Sequence, residues 1–368
     1  MGRKADIVVA GAGAVGSTIA LTLARAGHRV RLFDPAVSGD NASGVAAGML
    51  APAFETLFDE GAHGQFELLK TARDGWLALA RSIGLGLDRS GALALGTPTQ
   101  AAAWADRMRR FGATLETLGP GMVGDRAPGA APGAVGVFTP DDWRIEPRAA
   151  LAALRSAGAA AGVTFEPTSL GAIEAMSVEL LVCATGADQG LAAVAPELGA
   201  LTPIKGHILR APAADGPGPV VRGEGVYLCR GRGELVLGAS MEAGRADRRI
   251  DPAVVNDLIA RAERLWPGAA NLAWRAETGV RAATADGLPL VGWAARPGVQ
   301  LAVGARRNGW LLAPLIAELV LDLTEGRPRG PAAALFDPAR LDRRPSPPGP
   351  GGAGVGAVPD KGASRSLR

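Results

Sequence analysis

Asp6-Ile7-Val8-Val9-Ala10-Gly11-Ala12-Gly13-Ala14-Val15-Gly16 runs from a short apolar segment into three glycines spaced G-x-G-x-x-G. An apolar run of this length suits a strand buried on both faces of a parallel sheet. A helical stretch follows to Arg25, with Gly27 in the position of a left-handed cap. Arg29-Val30-Arg31-Leu32-Phe33 then reads as a second strand that stops at Asp34, 23 residues after Gly11. The order is strand, glycine turn, helix, strand, acid, and each part has a physical purpose. Gly11 makes the tight turn, Gly13 lets a pyrophosphate approach the backbone, and Gly16 lets the helix pack close to the sheet. The helix N-terminus at Ala14 and Val15 offers N–H donors and partial positive charge to phosphate. Asp34 can accept hydrogen bonds from a ribose. These five elements in order predict a dinucleotide site, without separating NAD from FAD.

A segment far downstream separates them. Ser177-Val178-Glu179-Leu180-Leu181-Val182-Cys183-Ala184-Thr185-Gly186-Ala187 is a strand ending in Ala-Thr-Gly. Before it, Glu146-Pro147-Arg148 opens a helix with proline in its first turn, and Gly162-Val163-Thr164-Phe165 begins a strand. A long insertion thus divides the first βαβ unit from its closing strand. Nicotinamide domains run βαβαβ without such an interruption, so the layout favours a flavoprotein. Cys183 reads as a small buried hydrophobe on that strand.

Composition narrows the function classes. Hydrophobic residues make up 48% of the 368, enough for a sizeable core. The net charge is +3, but five basic residues (Arg343, Arg344, Lys361, Arg365, Arg368) and one acid, Asp360, fall in the tail, leaving 34 basic against 35 acidic residues before it. No basic stripe remains for phosphates, which argues against a nucleic-acid partner. The tail, residues 343–368, is rich in Pro and Gly and is expected to be disordered. Cys183 and Cys229 form no CxxC, and three scattered histidines (His28, His63, His207) assemble no metal site. A reducing cytoplasm is the expected setting, and no apolar stretch of about 18 residues predicts a membrane span.

Three more strings carry a family resemblance: Ala42-Ser43-Gly44-Val45-Ala46-Ala47-Gly48-Met49-Leu50-Ala51-Pro52, the pair Glu277–Arg281 and Asp286–Gly292, and Arg307-Asn308-Gly309-Trp310-Leu311-Leu312-Ala313-Pro314. With the two glycine motifs and Ile204-Lys205-Gly206-His207-Ile208-Leu209-Arg210, they resemble the D-amino-acid-oxidase-like FAD-dependent oxidoreductases, and within them the glycine-oxidizing branch of thiamine biosynthesis. The resemblance covers residues of about 5 to 330. It implies an α/β fold: a Rossmann-type FAD-binding domain with an inserted α+β substrate domain built on an antiparallel sheet. The expected division is 1–80, 140–200 and 280–342 for FAD, and 81–139 and 201–279 for substrate.

The resemblance also implies site residues. FAD would be bound noncovalently by Gly11, Gly13, Ala14, Val15, Gly16, Asp34, Ser43, Ala46, Ala47, Gly48, Met49, Thr185, Gly186, Asn308, Gly309, Trp310 and Leu311. Arg281 matches the carboxylate-binding position, Arg307 a second pocket arginine, and Tyr227 and Met241 pocket-lining positions. The segment after Asn308 reads independently as a helix, with Pro314 expected in its first turn and Gly326 past its end. The implied activity is oxidation of glycine or a similar small amino acid, with O2 as electron acceptor. A D-amino-acid or sarcosine oxidase or dehydrogenase, a nicotinamide-linked enzyme, and a non-catalytic flavin-fold subunit are the alternatives. Assembly into a homo-oligomer is left open.

Overall fold

The computed structural model describes residues 4–342 except 37, 215, 217 and 329. The chain divides into a body, residues 1–338, and a terminal segment from residue 339. The disorder expected for 343–368 lies outside the described residues.

The body contains two large sheets. The first has six strands in the order Leu290–Trp293, Val299–Val303, Leu180–Cys183, Asp6–Ala10, Arg29–Phe33, Thr164–Glu166. All neighbours are parallel except the first pair. Helices Ala14–Arg25, Phe66–Ser82, Pro147–Ala160 and Gly309–Glu325 contribute to one apolar core packed with this sheet. The strand ending in Ala-Thr-Gly lies directly beside the N-terminal strand, with Ala10 opposite Cys183. The glycine turn needs its close approaches: a Cβ on Gly16 would lie 1.8 Å from the Gly11 carbonyl oxygen.

The second sheet has nine strands. Its path runs from Glu242–Ala243 through Thr202–Pro212, Glu234–Gly238, Val226–Arg230, Val220–Gly223, Ala92–Gly96 and Val135–Thr139 to Glu116–Leu118, with Arg275–Ala283 paired to Thr202–Pro212. Every pair is antiparallel except Val220–Gly223 with Ala92–Gly96. That one parallel junction is where the two inserted segments of chain meet.

One expectation is corrected. Helix Gly309–Glu325 begins five residues before Pro314, so the proline stands inside the helix. Its missing N–H leaves the Trp310 carbonyl without its helical donor. The indole Nε1–H of Trp76, fully buried, donates to that carbonyl at 2.7 Å. Trp76→Phe should therefore cost about 1–3 kcal/mol for the orphaned carbonyl, in addition to any packing loss. In a Pro314→Ala background the restored N–H can take the Trp310 carbonyl, so the same change should cost about 1 kcal/mol less. Denaturant unfolding of the four proteins measures the coupling; strict additivity would mean that Trp76 acts by packing alone.

Candidate active site

Two cavities meet between the sheets. The first, about 420 Å³, is lined at one end by Gly11, Gly13, Ala14 and Val15, with Asp34 and Ser43 beside them. Thr185 and Gly186 form its other wall, and Gly309 and Trp310 its floor at the start of the last long helix. The second, about 480 Å³, is lined by Ala47, Gly48, Met49, Tyr227 and Met241. Ala46, Arg281, Arg307 and Trp310 border both. Three expected cofactor residues line neither: Gly16 packs against the turn, Asn308 is the residue before the helix, and Leu311 is fully buried in the core.

The first cavity fits a dinucleotide on its own chemistry. The first backbone bond of helix Ala14–Arg25 is Ser17 N–H to Gly13 C=O at 3.0 Å, so Val15 and Gly16 carry N–H groups with no helical acceptor. Ala14 N–H donates to Ser43 Oγ at 2.9 Å, and Trp310 Nε1–H donates to Ser43 C=O at 3.0 Å. Asp34 receives Ala12 N–H on Oδ2 at 2.6 Å and Ala36 N–H on Oδ1 at 2.8 Å. A carboxylate oxygen takes two donors, so capacity remains for ribose hydroxyls. These residues would hold the pyrophosphate and ribose of FAD.

The second cavity lies on one face of the nine-stranded sheet. Ile208, Gly238, Tyr227, Arg222 and Ala94 stand opposite one another on successive strands, and directly opposed residues share a face. Arg281 lies opposite Ile204. Two glycines on this face make room for two side chains. A Cβ on Gly206 would sit 2.6 Å from Arg281 Nη2, and one on Gly238 would sit 2.5 Å from Tyr227 Cζ. The Arg281 guanidinium thus reaches back over the neighbouring strand, and the Tyr227 phenol leans over its own neighbour toward it.

Charge distinguishes the cavity's arginines. Arg307 Nε donates to Glu55 Oε2 at 2.5 Å and lies 3.2 Å from Asp59 Oδ2. Arg222 Nη1 reaches Glu55 Oε1 at 3.4 Å. Among the described residues, Arg281 has no carboxylate partner: its Nη1 reaches Ser240 C=O at 3.2 Å and the Met241 sulfur at 3.3 Å. Burial holds its pKa below the usual arginine value, and the like charges of Arg307 and Arg306 add to this. A cation so desolvated gains most from an anionic ligand. Burial also pushes the Tyr227 hydroxyl up, which keeps it a neutral donor. Burial works against the charge of Asp59, but Arg307 and Arg306 outweigh it and hold that carboxyl low.

The Ile204–Arg210 string has a structural reading too. Gly206 gives Arg281 its seat, while Lys205 and His207 alternate to the other face and tie down the loop that carries Met241. Fully buried Lys205 pairs with Asp247 at 2.7 Å. His207 Nδ1 meets Glu242 Oε1 at 2.9 Å, and Asp251 N–H donates to His207 Nε2 at 2.9 Å. Since Nε2 accepts, the ring proton sits on Nδ1. Arg210 fixes the flank of the first cavity, donating from Nη2 to the Val45 carbonyl at 2.9 Å.

Sequence reasoning missed Glu55, Arg222, Gly206 and Gly238. Glu55 follows the Ala42–Pro52 string by three residues and could have been found as an acid in its helix; nothing marks Arg222 within its short strand. A test of the glycine seat is direct: Gly206→Ala should keep FAD content and lower kcat/KM for an amino-acid substrate by up to about tenfold, the size of effect a small misplacement produces. Unchanged kinetics would mean the guanidinium does not need that seat.

Among the described residues no helix is long and apolar enough to cross a membrane, and no group of His, Cys, Asp and Glu could hold a metal ion. Comparison with known proteins agrees with the geometry. The FAD dependent oxidoreductase family profile matches residues 6–323. The chain is 31% identical to a glycine oxidase of Geobacillus kaustophilus, over 88% of this chain and 94% of that protein. It is 30% identical to the bifunctional protein ThiO/ThiG of Synechocystis sp., over 95% of this chain and 56% of that protein. The crystal structure of glycine oxidase from Geobacillus kaustophilus superposes with a TM-score of 0.79 at 27% identity, covering 92% of this chain and 99% of that one. Dinucleotide cradle, second cavity and family profile coincide on the same residues: the chain belongs to the FAD dependent oxidoreductase family.

Proposed function

We propose that the protein oxidises glycine, or an amino acid of similar size, to an imine that water converts to glyoxylate or a keto acid and ammonia. The observation that carries this reading is Arg281, the cavity arginine without a carboxylate partner among the described residues, at the border of the cofactor and substrate cavities. The relatives named glycine oxidase support it.

When bound, FAD supplies the two-electron acceptor that takes a hydride from the substrate α-carbon. The chain's residues do the rest. Arg281 holds the substrate carboxylate through its planar fork, and Tyr227 donates a neutral hydrogen bond from three strands further along the same sheet. Glu55 and Asp59 neutralise Arg307, so the carboxylate is directed to Arg281. Met49 and Trp310 line the site and help to keep water from it, and such exclusion strengthens each polar contact inside. The N-terminus of helix Gly309–Glu325 places partial positive charge at the cofactor cavity, where it favours added electron density.

In this reading O2 is the terminal electron acceptor and would leave as hydrogen peroxide. The product would feed the thiazole branch of thiamine synthesis, a reading supported by the relatives named ThiO/ThiG. The cytoplasm is the proposed location, in keeping with two free, buried cysteines. The parallel sheet would serve as the FAD domain and the nine-stranded sheet as the substrate domain. The test is a substrate panel of glycine, sarcosine, D-alanine and D-proline, with peroxide and quinone-dye readouts run in parallel. Peroxide from glycine is expected. Dye reduction without peroxide would make the enzyme a dehydrogenase, and no turnover of any amine would leave a non-catalytic flavin-fold subunit.

A further inference from the structure

Two methionine sulfurs lie against arginines in the second cavity. Met241 Sδ is 3.3 Å from Arg281 Nη1, and Met49 Sδ is 3.1 Å from Arg222 Nη2. A thioether is only a weak acceptor for such a donor. Met241 is 42% exposed and Met49 half-buried. The loop that carries Met241 borders both cavities: Ala239 and Met241 line the second, Ala246 and Arg248 the first. It is also tied down. His207 N–H donates to Ser240 Oγ at 2.9 Å, and the Thr278 hydroxyl donates to the Arg248 carbonyl at 2.7 Å. The Met241 sulfur is thus open to solvent, yet held against Arg281, the cavity arginine without a carboxylate partner among the described residues.

Oxidation would change what that sulfur offers. A methionine sulfoxide is polar where the thioether is apolar, and its oxygen carries partial negative charge. On Met241 that oxygen would stand beside Arg281 Nη1 and compete with a substrate carboxylate for the guanidinium. Hydrogen bonds to a charged donor are among the stronger ones. The other methionines serve as internal references. Met122 and Met176 are as exposed, at 44% and 46%, but line neither cavity, and Met108 is fully buried.

Resting on the amino-acid oxidase reading above, we propose that Met241 is a site of reversible oxidation by hydrogen peroxide, and that its sulfoxide loosens the grip of Arg281 on the substrate. The oxidant is the peroxide that the enzyme itself would release, so an accumulating product slows its own formation. The sulfur attacks one peroxide oxygen and the O–O bond breaks. The departing hydroxide takes the proton from the oxygen left on sulfur and leaves as water. Sulfur is oxidised by two electrons and peroxide is reduced by two. A methionine sulfoxide reductase returns the thioether, its thiols ending as a disulfide and the oxygen as water.

The holoenzyme is treated with reagent hydrogen peroxide, and each methionine is followed by peptide mass spectrometry. Met241 is expected to gain an oxygen at least as fast as Met122 and Met176. As it does, kcat/KM for glycine should fall about tenfold through a rise in KM, the scale of one hydrogen bond to a charged group. Benzylamine, which has no carboxylate, should be hardly affected, and FAD content should not change. Binding is read separately by titration with acetate, whose Kd should rise about tenfold. Methionine sulfoxide reductase should restore both values. In Met241→Leu, compared with its own untreated sample, peroxide should change neither. Prolonged glycine turnover in air should reproduce the loss, and catalase should prevent it. The proposal is overturned if Met241 stays reduced while Met122 and Met176 are oxidised, if the sulfoxide forms with acetate affinity unchanged, or if treated Met241→Leu loses as much as the wild type. A loss during turnover that catalase fails to prevent would overturn the peroxide step. If no amine is oxidised, the oxidase reading has failed, and the acetate titration after reagent peroxide still decides whether the Met241 sulfoxide occupies Arg281.

Discussion

Arg281→Lys is expected to lower kcat/KM for glycine by about 10–100-fold, roughly 1.4–2.7 kcal/mol of lost interaction with a charged partner. Lysine keeps the positive charge but loses the planar fork that grips a carboxylate at two points. The surrounding geometry sharpens the expectation. Arg307 and Arg222 share Glu55, so neither is as free as Arg281 to take the substrate's charge. FAD content and thermal stability should hardly change, because Arg281 forms no ion pair among the described residues. A neutral amine such as benzylamine never uses the contact, so its kcat/KM should fall much less. Steady-state kinetics on both substrates separate the cases. Equal slowing would assign Arg281 to the fold or the cofactor rather than to the carboxylate.

Gly13→Val should yield a folded protein that purifies without flavin. Gly13 has φ −73° and ψ −170°, an extended conformation open to any residue, so the backbone itself is not strained. The nearest obstacle to a Cβ is the Ser43 hydroxyl at 2.9 Å, the far end of a small side chain. What valine removes is the bare backbone surface on which the pyrophosphate is expected to rest. Circular dichroism close to wild type with no flavin absorbance is the expected pair of results. A yellow, stoichiometrically loaded variant would place the cofactor elsewhere.

The parallel sheet was legible because its signals are local. Strand, turn, helix and acid follow one another within 34 residues, and each residue's type reflects its own backbone and burial. The closing strand with Thr185 and Gly186 was legible for the same reason. Pro314 was misplaced because what tolerates it is remote: the Trp76 indole, 234 positions earlier in sequence, satisfies the carbonyl that the proline leaves open. The substrate side was only half legible. Tyr227 and Arg281 were named by resemblance and line the second cavity, but Gly206 and Gly238 matter through what lies across the strand pairing. In a chain with 52 glycines, no single one announces that it seats a neighbour's side chain. Arg222 and Glu55 were missed because their meaning is a shared charge balance, visible only once three arginines and two acids stand around one cavity.

The most direct test of the central claim is a single anaerobic turnover with glycine, monitored by flavin absorbance and followed by product assay. With oxygen excluded, the bound cofactor cannot recycle, so the readout is independent of the electron acceptor. Bleaching of the flavin, with one glyoxylate and one ammonia formed per FAD, is the predicted result. A flavin that stays oxidised in saturating glycine, yet bleaches with amines that lack a carboxylate, would contradict the assignment of Arg281 and the amino-acid oxidase reading built on it.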